Sequence, residues 1–412
     1  MSHRPFTLTI LAAVPFLPAC ADGGSPGRTA VEWYDSAGIP IVVSDISGLP
    51  ECTLSPEPRV EIGNRPGDPD HELYRVFGAS RLGDGRIAVV DQGSQTLRFY
   101  SGEGEFLSAA GGQGGGPGEF QNAFLLWRMA GDTLWVGDYR PWEFEVFSPE
   151  GSWTRMTRPA PWYPNPPRAY AILADGRQIL GSEDILSRSE TEFRRGSIDL
   201  MLHGSDGALV DTLTSVPSTR WGKTIREPDS PWLYPWFDAS AEVAARGDQL
   251  VLGHGSLAEL RLYDVSDTLT LRTIVRWRGI DRSVSPDDVS AVVDAVRAQY
   301  ADLDPGMRER LVAPLVHEDR PVADSFPSMT TVLPGVDDAL WIKQYTRPAP
   351  EPGPAVWLRF EPSGEARCRL HVPDGVDVYE FGPDYMLGET TDEMGVESVV
   401  LYALGKARQA SP

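Results

Sequence analysis

Asp84-Gly85-Arg86-Ile87-Ala88-Val89-Val90-Asp91, followed by Leu97-Arg98-Phe99-Tyr100 and then, at 111–120, by the run GGQGGGPGEF, decides the fold of this chain. The stretch reads as two short strands, a third at 105–110 and a glycine-rich passage into the next unit. The pattern recurs in Gly131-Asp132-Thr133-Leu134-Trp135-Val136-Gly137-Asp138 and Phe144-Glu145-Val146-Phe147. One offset separates Asp91 from Asp138, Arg98 from Glu145, and Gly104 from Gly151. A shared offset marks an array of small sheets, each too small to bury a face alone.

The first full unit places four antiparallel strands at 75–82, 85–91, 96–100 and 105–110, the blade of a propeller. The second unit, 120–157, matches it. The third begins near Arg168 with DGRQILGSE at 175–183, and its next strand comes late, at 197–203. The fourth occupies 247–277 and the fifth 339–372. The sixth, 376–402, holds three strands only. The missing strand is expected from Arg59-Val60-Glu61-Ile62-Gly63, which precedes the first blade as 106–116 precedes the second. The expected architecture is therefore an all-β, six-bladed β-propeller closed by its N-terminal strand, which leaves few exposed edges. A small helical hairpin insertion is expected at about 285–316. Ser285, Pro286 and Asp288 make a helix start, Val289, Val292, Val293 and Val296 form one apolar face, and Asp304-Pro305 starts a second helix.

Composition agrees. The 412 residues are 41% hydrophobic, and 41 glycines and 36 prolines suit many short strands joined by turns. A formal net charge of −22 repels phosphate backbones and argues against a nucleic-acid partner. Arg4 followed by the apolar run 6–19 is too short to span a bilayer and reads as an export signal. Its end, Leu17-Pro18-Ala19-Cys20, resembles a bacterial lipobox, which implies a lipid on Cys20. The organisation expected is a signal segment at 1–20, a flexible tether at 21–30 and the propeller at 31–412, lipid-anchored on the periplasmic or surface side of the outer membrane. In that oxidising compartment Cys52 and Cys368 are a candidate disulfide fastening the closure seam; two buried thiols are the alternative.

The form D-G-R-I-x-V-x-D, L-R-x-Y and G-x-G-G-G-P-G-E-F resembles bacterial six-bladed propellers related to NHL-repeat and TolB-like proteins. The resemblance covers 59–404 in outline and is sharp in the first two blades. It implies an exported lipoprotein, many members being of undetermined molecular function; the repeats, the lipobox and the absence of a catalytic motif lead to the expectation of a binding or scaffold module, a monomer, for a protein, peptide or carbohydrate ligand.

Asp91, Asp138, Glu183, His254, Lys343 and Glu389 stand at the end of the second strand of each unit and form a candidate ligand rim; an Asp at such a place also caps the following turn. Trp232 and Trp236, with Trp221, Tyr234 and Phe237, form an aromatic loop that could join that rim or cover sheet edges, and Trp162 and Tyr163 form a similar stretch. The run at 111–118 enters a strand and lacks Gly-Lys-Ser/Thr, so it is no phosphate loop. Its glycines suit a tight blade-to-blade turn. No catalytic residue is assigned, since G-x-S-x-G, H-E-x-x-H and Cys-x-x-Cys are all absent. His71, His203, His254, His317 and His371 are dispersed, and no cofactor is expected. The alternative is a metal-dependent hydrolase or lactonase whose channel carboxylates, remote in sequence, hold a divalent cation such as calcium, as in gluconolactonase-like propellers.

Overall fold

The computed structural model describes residues 30–405, apart from 64, 66, 162–166, 184–191, 226–229 and 350–352. The signal segment, Cys20, Trp162 and Tyr163 lie outside the described residues.

Turn-forming pairs such as Asp84-Gly85 separate short β-branched and aromatic runs, and each run of four folds into one antiparallel sheet. In blade 1, Val76–Arg81, Ile87–Asp91, Thr96–Tyr100 and Phe106–Gly111 lie side by side in chain order. Blades 2, 3 and 5 repeat this order, with inner strands Ala123–Arg128, Arg168–Ile172 and Thr331–Pro334. Blade 4 begins at Ala241–Arg246 and blade 6 at Val376–Phe381. The chain is thus a six-bladed β-propeller.

The ring closes as expected. Val60–Gly63 runs antiparallel to the last strand, Glu397–Gly405, with Ile62 opposite Val399 and Val60 opposite Leu401. Ile62 is fully buried, and burying one such side chain contributes about 1.5–3 kcal/mol. Cys52 and Cys368 are disulfide-bonded, with Cα atoms 5.6 Å apart. Cys368 belongs to the outer strand of blade 5, Ala366–Val372, while Thr53–Leu54 pairs with the end of Glu397–Gly405 in blade 6.

No blade has a core of its own. Six of the seven hydrophobic clusters among the described residues straddle neighbouring blades. Ala88, Val90 and Phe99 of blade 1 meet Phe120, Leu134 and Val136 of blade 2, and Trp341 of blade 5 stacks on Phe381 of blade 6 at 4.0 Å. The recurrent glycine of the outer turn belongs to the same scheme. Gly151 of blade 2 sits at φ +82° with Phe99 of blade 1 so close that an added Cβ would stand 2.9 Å from its ring. Gly104 meets Val60 of the closing strand in the same way. The spacing of these glycines in the sequence is therefore the spacing of blade-to-blade contacts.

Two features were not anticipated. Val31–Ser36 and Ile39–Asp45 form a hairpin whose second strand pairs in parallel with the outer strand of blade 4, Thr270–Arg278, making a six-stranded sheet. The outer strands of blade 3, Arg194–His203 and Leu209–Trp221, are also far longer than their counterparts. The helical insertion consists of α1 (Pro286–Gln299) and α2 (Pro305–Leu315). Ser285 and Asp288 form a reciprocal capping box, and Val289, Val292, Val293 and Val296 pack toward Trp236, Phe237 and Phe326.

Candidate functional site

The long hairpin of blade 3 builds one mouth of the ring. Its register shifts at Arg195/Ser197, Leu200/Met201 and Leu202/His203, bends that accompany extra residues in a strand, and carries Ser218, Thr219 and Trp221 to the mouth. Gly222 pairs with Leu233, which turns the chain back and sets the Tyr234 ring 3.9 Å from that of Trp221. These residues wall a cavity of about 520 Å³ with Arg168, Tyr170 and Glu183 of blade 3, Ser240 and Glu242 of blade 4, and Thr331 of blade 5. That volume lies within the range of small-molecule sites.

Glu242 is the least ordinary group in the cavity. Ser240 Oγ donates to its Oε1 at 2.9 Å. Burial pushes its carboxyl up to about 7, against the opposing pull of the Ser240 hydrogen bond and the Arg168 charge. The Arg168 guanidinium stands 5.1 Å over the Tyr170 ring. Burial raises the Tyr170 and Tyr234 hydroxyls, so both stay protonated donors.

Beside this cavity Asp238, with 3% of its side chain exposed, gathers two guanidinium groups: Arg195 Nη2 at 3.2 Å and Arg220 Nη2 at 2.9 Å. Arg195 Nη1 also stands 3.1 Å from Nε2 of His254. A guanidinium only donates, so Nε2 accepts from Arg195, while Nδ1 stands 2.6 Å from Ser256 Oγ and accepts the Ser256 backbone N–H at 3.2 Å. Burial and then the Arg195 charge lower the pKa of His254.

The candidate rim does not assemble as one ring. The Asp91 carboxylate accepts the backbone N–H groups of Tyr74 and Gly93 and the Ser94 hydroxyl, and pairs with Arg98 at 2.9 Å. Asp138 accepts from the N–H groups of Gln121, Asn122 and Arg140. Both are buried turn caps with no free face for a ligand. Glu389 follows Gly388, which pairs with Val378, as Asp138 follows Gly137, which pairs with Phe124, whereas Glu183 lies two residues beyond Gly181, which stands opposite the first residue of the blade 3 inner strand. Glu389 instead bonds the Tyr379 hydroxyl, and burial lifts its carboxyl to about 7. Lys343 pairs with Thr331 across the strands of blade 5.

Trp236 is also not a rim residue. It is 9% exposed and lies under the Arg320 guanidinium, 3.4 Å from the ring centre. Burial without a carboxylate partner pulls Arg320 down to about 10, and its Nε and Nη1 donate to the Tyr234 and Leu315 carbonyls. Trp236 thus supports the helical hairpin. Trp232 is half-buried beside the Lys223 ammonium, 5.5 Å away.

Of the rim candidates, Glu183 lines the cavity and His254 lies in the polar cluster beside it. Sequence reasoning missed Arg168, Tyr170, Ser240 and Glu242. One signal was present: Glu242 holds the inner-strand place that Phe77 and Phe124 hold in blades 1 and 2.

The central channel holds a second cavity of about 580 Å³, lined by inner strands of all six blades. Tyr170, Val243 and Val332 line both cavities and mark the waist between them. On the channel side Glu380 accepts from Ser80 Oγ at 2.6 Å, from Arg81 N at 3.2 Å and from the Tyr385 hydroxyl, and it stands 3.8 Å from Arg128 Nε. That carboxylate binds blades 6, 1 and 2 together. Among the described residues no group of three or more His, Cys, Asp or Glu side chains is placed to hold a metal ion. The channel-centred metal reading therefore finds no ligand set among them.

No protein-family description matches the chain, and no curated protein does. Among solved structures, a candidate exported protein from Bacteroides fragilis is similar at 11% identity over 88% of this chain and 97% of that one, with a TM-score of 0.48. A member of the DUF4221 family from Bacteroides vulgatus is 8% identical over 87% and 100%, with a TM-score of 0.45. The calcium-binding protein regucalcin from Agrobacterium tumefaciens is 8% identical over 87% and 97%, with a TM-score of 0.36. No helix among the described residues is long and apolar enough to cross a membrane.

Proposed function

We propose that this chain is an exported, lipid-anchored binding module, of the NHL-repeat and TolB-like kind, whose ligand site is the cavity where blades 3, 4 and 5 meet. The observation that carries the reading is the composition of that cavity: three aromatic rings, Tyr170, Trp221 and Tyr234, alternate with hydroxyl and carboxylate groups around about 520 Å³. Few-sided polar recognition between aromatic walls suits a sugar or a short peptide. The extended hairpin of blade 3 serves this wall and departs from the repeat to do so. In this reading residues 1–20 direct export, Cys20 carries the lipid, 21–30 are the tether, 31–412 form a monomeric propeller, and no residue is catalytic.

Two measurements test it. Intact-mass analysis of the mature protein should find acyl chains on Cys20, and C20A should release the protein from the membrane. Thermal-shift screening against oligosaccharides and short peptides should find stabilising ligands whose effect is lost in W221A. Ligand shifts of equal size in W221A and wild type would place the site elsewhere.

A further inference from the structure

We propose that the ligand of the blade 3–5 cavity carries a protonated amine on a hydroxylated body, and that Glu242, with the Trp221 and Tyr234 rings, receives the ammonium group. This rests on the reading of that cavity as the ligand site and adds the class of ligand.

The argument starts from charge. Glu183 and Glu242 both line the cavity, and neither has an ion-pair partner within 4 Å among the described residues. Among the described residues the one cation in the wall, Arg168, is stacked on Tyr170. The neighbouring guanidinium groups of Arg195 and Arg220 are held by Asp238. Among the described residues the wall is thus short of positive charge.

Hydrogen bonding points the same way. An ionised carboxylate accepts at both oxygens, yet Glu242 receives one side-chain hydrogen bond, from Ser240 to Oε1. A half-buried carboxylate with few donors favours its protonated form, in line with its pKa of about 7. An ammonium group brings the missing donors and the compensating charge together. The Trp221 and Tyr234 rings beside a carboxylate also offer faces of the kind on which such cations are held, while Tyr170 carries the Arg168 guanidinium. Hydroxyls of Ser182, Ser218, Ser240 and Thr331 around the same space suit a hydroxylated remainder.

The groups that face Glu242 are few. Blade 3 presents Arg168 and Tyr170 from its inner strand and Glu183 from its second strand. Blade 5 presents Thr331 and Val332, with Lys343 paired to Thr331 behind them. Opposite Glu242 on its own sheet stands Gly253, with His254 adjacent and neutral.

The test is calorimetric titration of the full chain with glucamine and with sorbitol, which differ by an amine in place of one hydroxyl. The glucamine amine titrates near ~10, as alkyl amines do, and keeps its charge from pH 6 to 8. Glucamine is expected to bind at least about tenfold more tightly than sorbitol at pH 8. The preference should shrink by up to about tenfold at pH 6, where Glu242 is mostly protonated. In E242Q the two should bind within about twofold of each other, and W221A should weaken both. Sorbitol binding as tightly as glucamine, with W221A weakening both, overturns the amine and leaves the cavity as a site. A glucamine preference untouched by both E242Q and W221A overturns amine and cavity together, and failure of glucamine to bind at all overturns the amine assignment.

Discussion

The Glu397 carboxylate, in the last strand of the propeller, accepts the backbone N–H of Val76, 2.7 Å away at the start of blade 1. It joins residues 321 positions apart, across the same seam that Val60–Gly63 crosses by strand pairing. The Tyr379 hydroxyl adds a third link by donating to the Val76 carbonyl at 3.1 Å. Closure therefore depends on main-chain pairing, side-chain hydrogen bonds and, between blades 5 and 6, a covalent bridge.

The bridge closes a loop with a sequence separation of 316, and long loops restrict the unfolded chain most. Replacing Cys52 and Cys368 together by serine should lower stability by about 2–4 kcal/mol. Urea unfolding of the double variant, beside wild type with and without reductant, checks this. Equal midpoints in all three would show that the bridge adds nothing.

Glu389 makes stability depend on pH. One Tyr379 proton cannot serve both Glu389 and the Val76 carbonyl, whereas a protonated Glu389 donates to Tyr379 and leaves it free to donate onward. The folded pKa of about 7 lies above the unfolded carboxyl value. The contribution is therefore fully present below ~4.3 and is lost as pH rises through about 7. E389Q should match wild type at pH 4 and exceed it by about 1–2 kcal/mol at pH 8, allowing for partial solvent screening. Urea midpoints at the two pH values decide it, and a constant difference would refute the assignment.

Asp238 holds Arg195 and Arg220 with almost no exposure of its own. Removing one member of a buried ionic group leaves charge uncompensated, at a cost of about 3–5 kcal/mol. D238N keeps the shape and removes the charge, and should cost about 3 kcal/mol; partial exposure of both arginines places it at the low end. The same variant should blunt ligand binding, because Ser218 and Ser240 of the cavity flank this cluster. A change within 0.5 kcal/mol would mean that solvent replaces the carboxylate.

Gly151 and Gly38 share nearly the same backbone, at φ +82° and +83°. Only Gly151 has a neighbouring blade within reach of an added Cβ. G38A should cost about 1 kcal/mol for the left-handed conformation, and G151A about 1–3 kcal/mol more for pushing Phe99. Thermal unfolding of the two variants separates the backbone effect from the packing effect.

The blade rule and the closing strand were legible because both repeat: Asp91 and Asp138, or Gly104 and Gly151, recur at one spacing, and the Arg59–Gly63 segment falls into the same frame. The hairpin at 31–45 lies outside the period, and its parallel partner is 233 positions away, so only tertiary packing selects it. The site was harder to read. Glu389 stands where Asp138 stands in its own blade, but it is engaged by the Tyr379 hydroxyl, a partner that the spacing does not reveal. Trp236 looked like Trp221 in sequence, and what distinguishes them is Arg320, a residue far along the chain. Glu242 was visible only as a departure, an acid where two sister blades have phenylalanine.

The interior clusters belong to pairs of neighbours, so every sheet owes its hydrophobic shelter to the one before and the one after. Excising a single module would strip two of these shelters at once and leave ends that no longer meet. Growth between modules carries no such penalty, as α1 and α2 demonstrate by entering between blades 4 and 5. Descendants of this gene are expected to vary by insertion at the junctions, while the number of sheets stays constant.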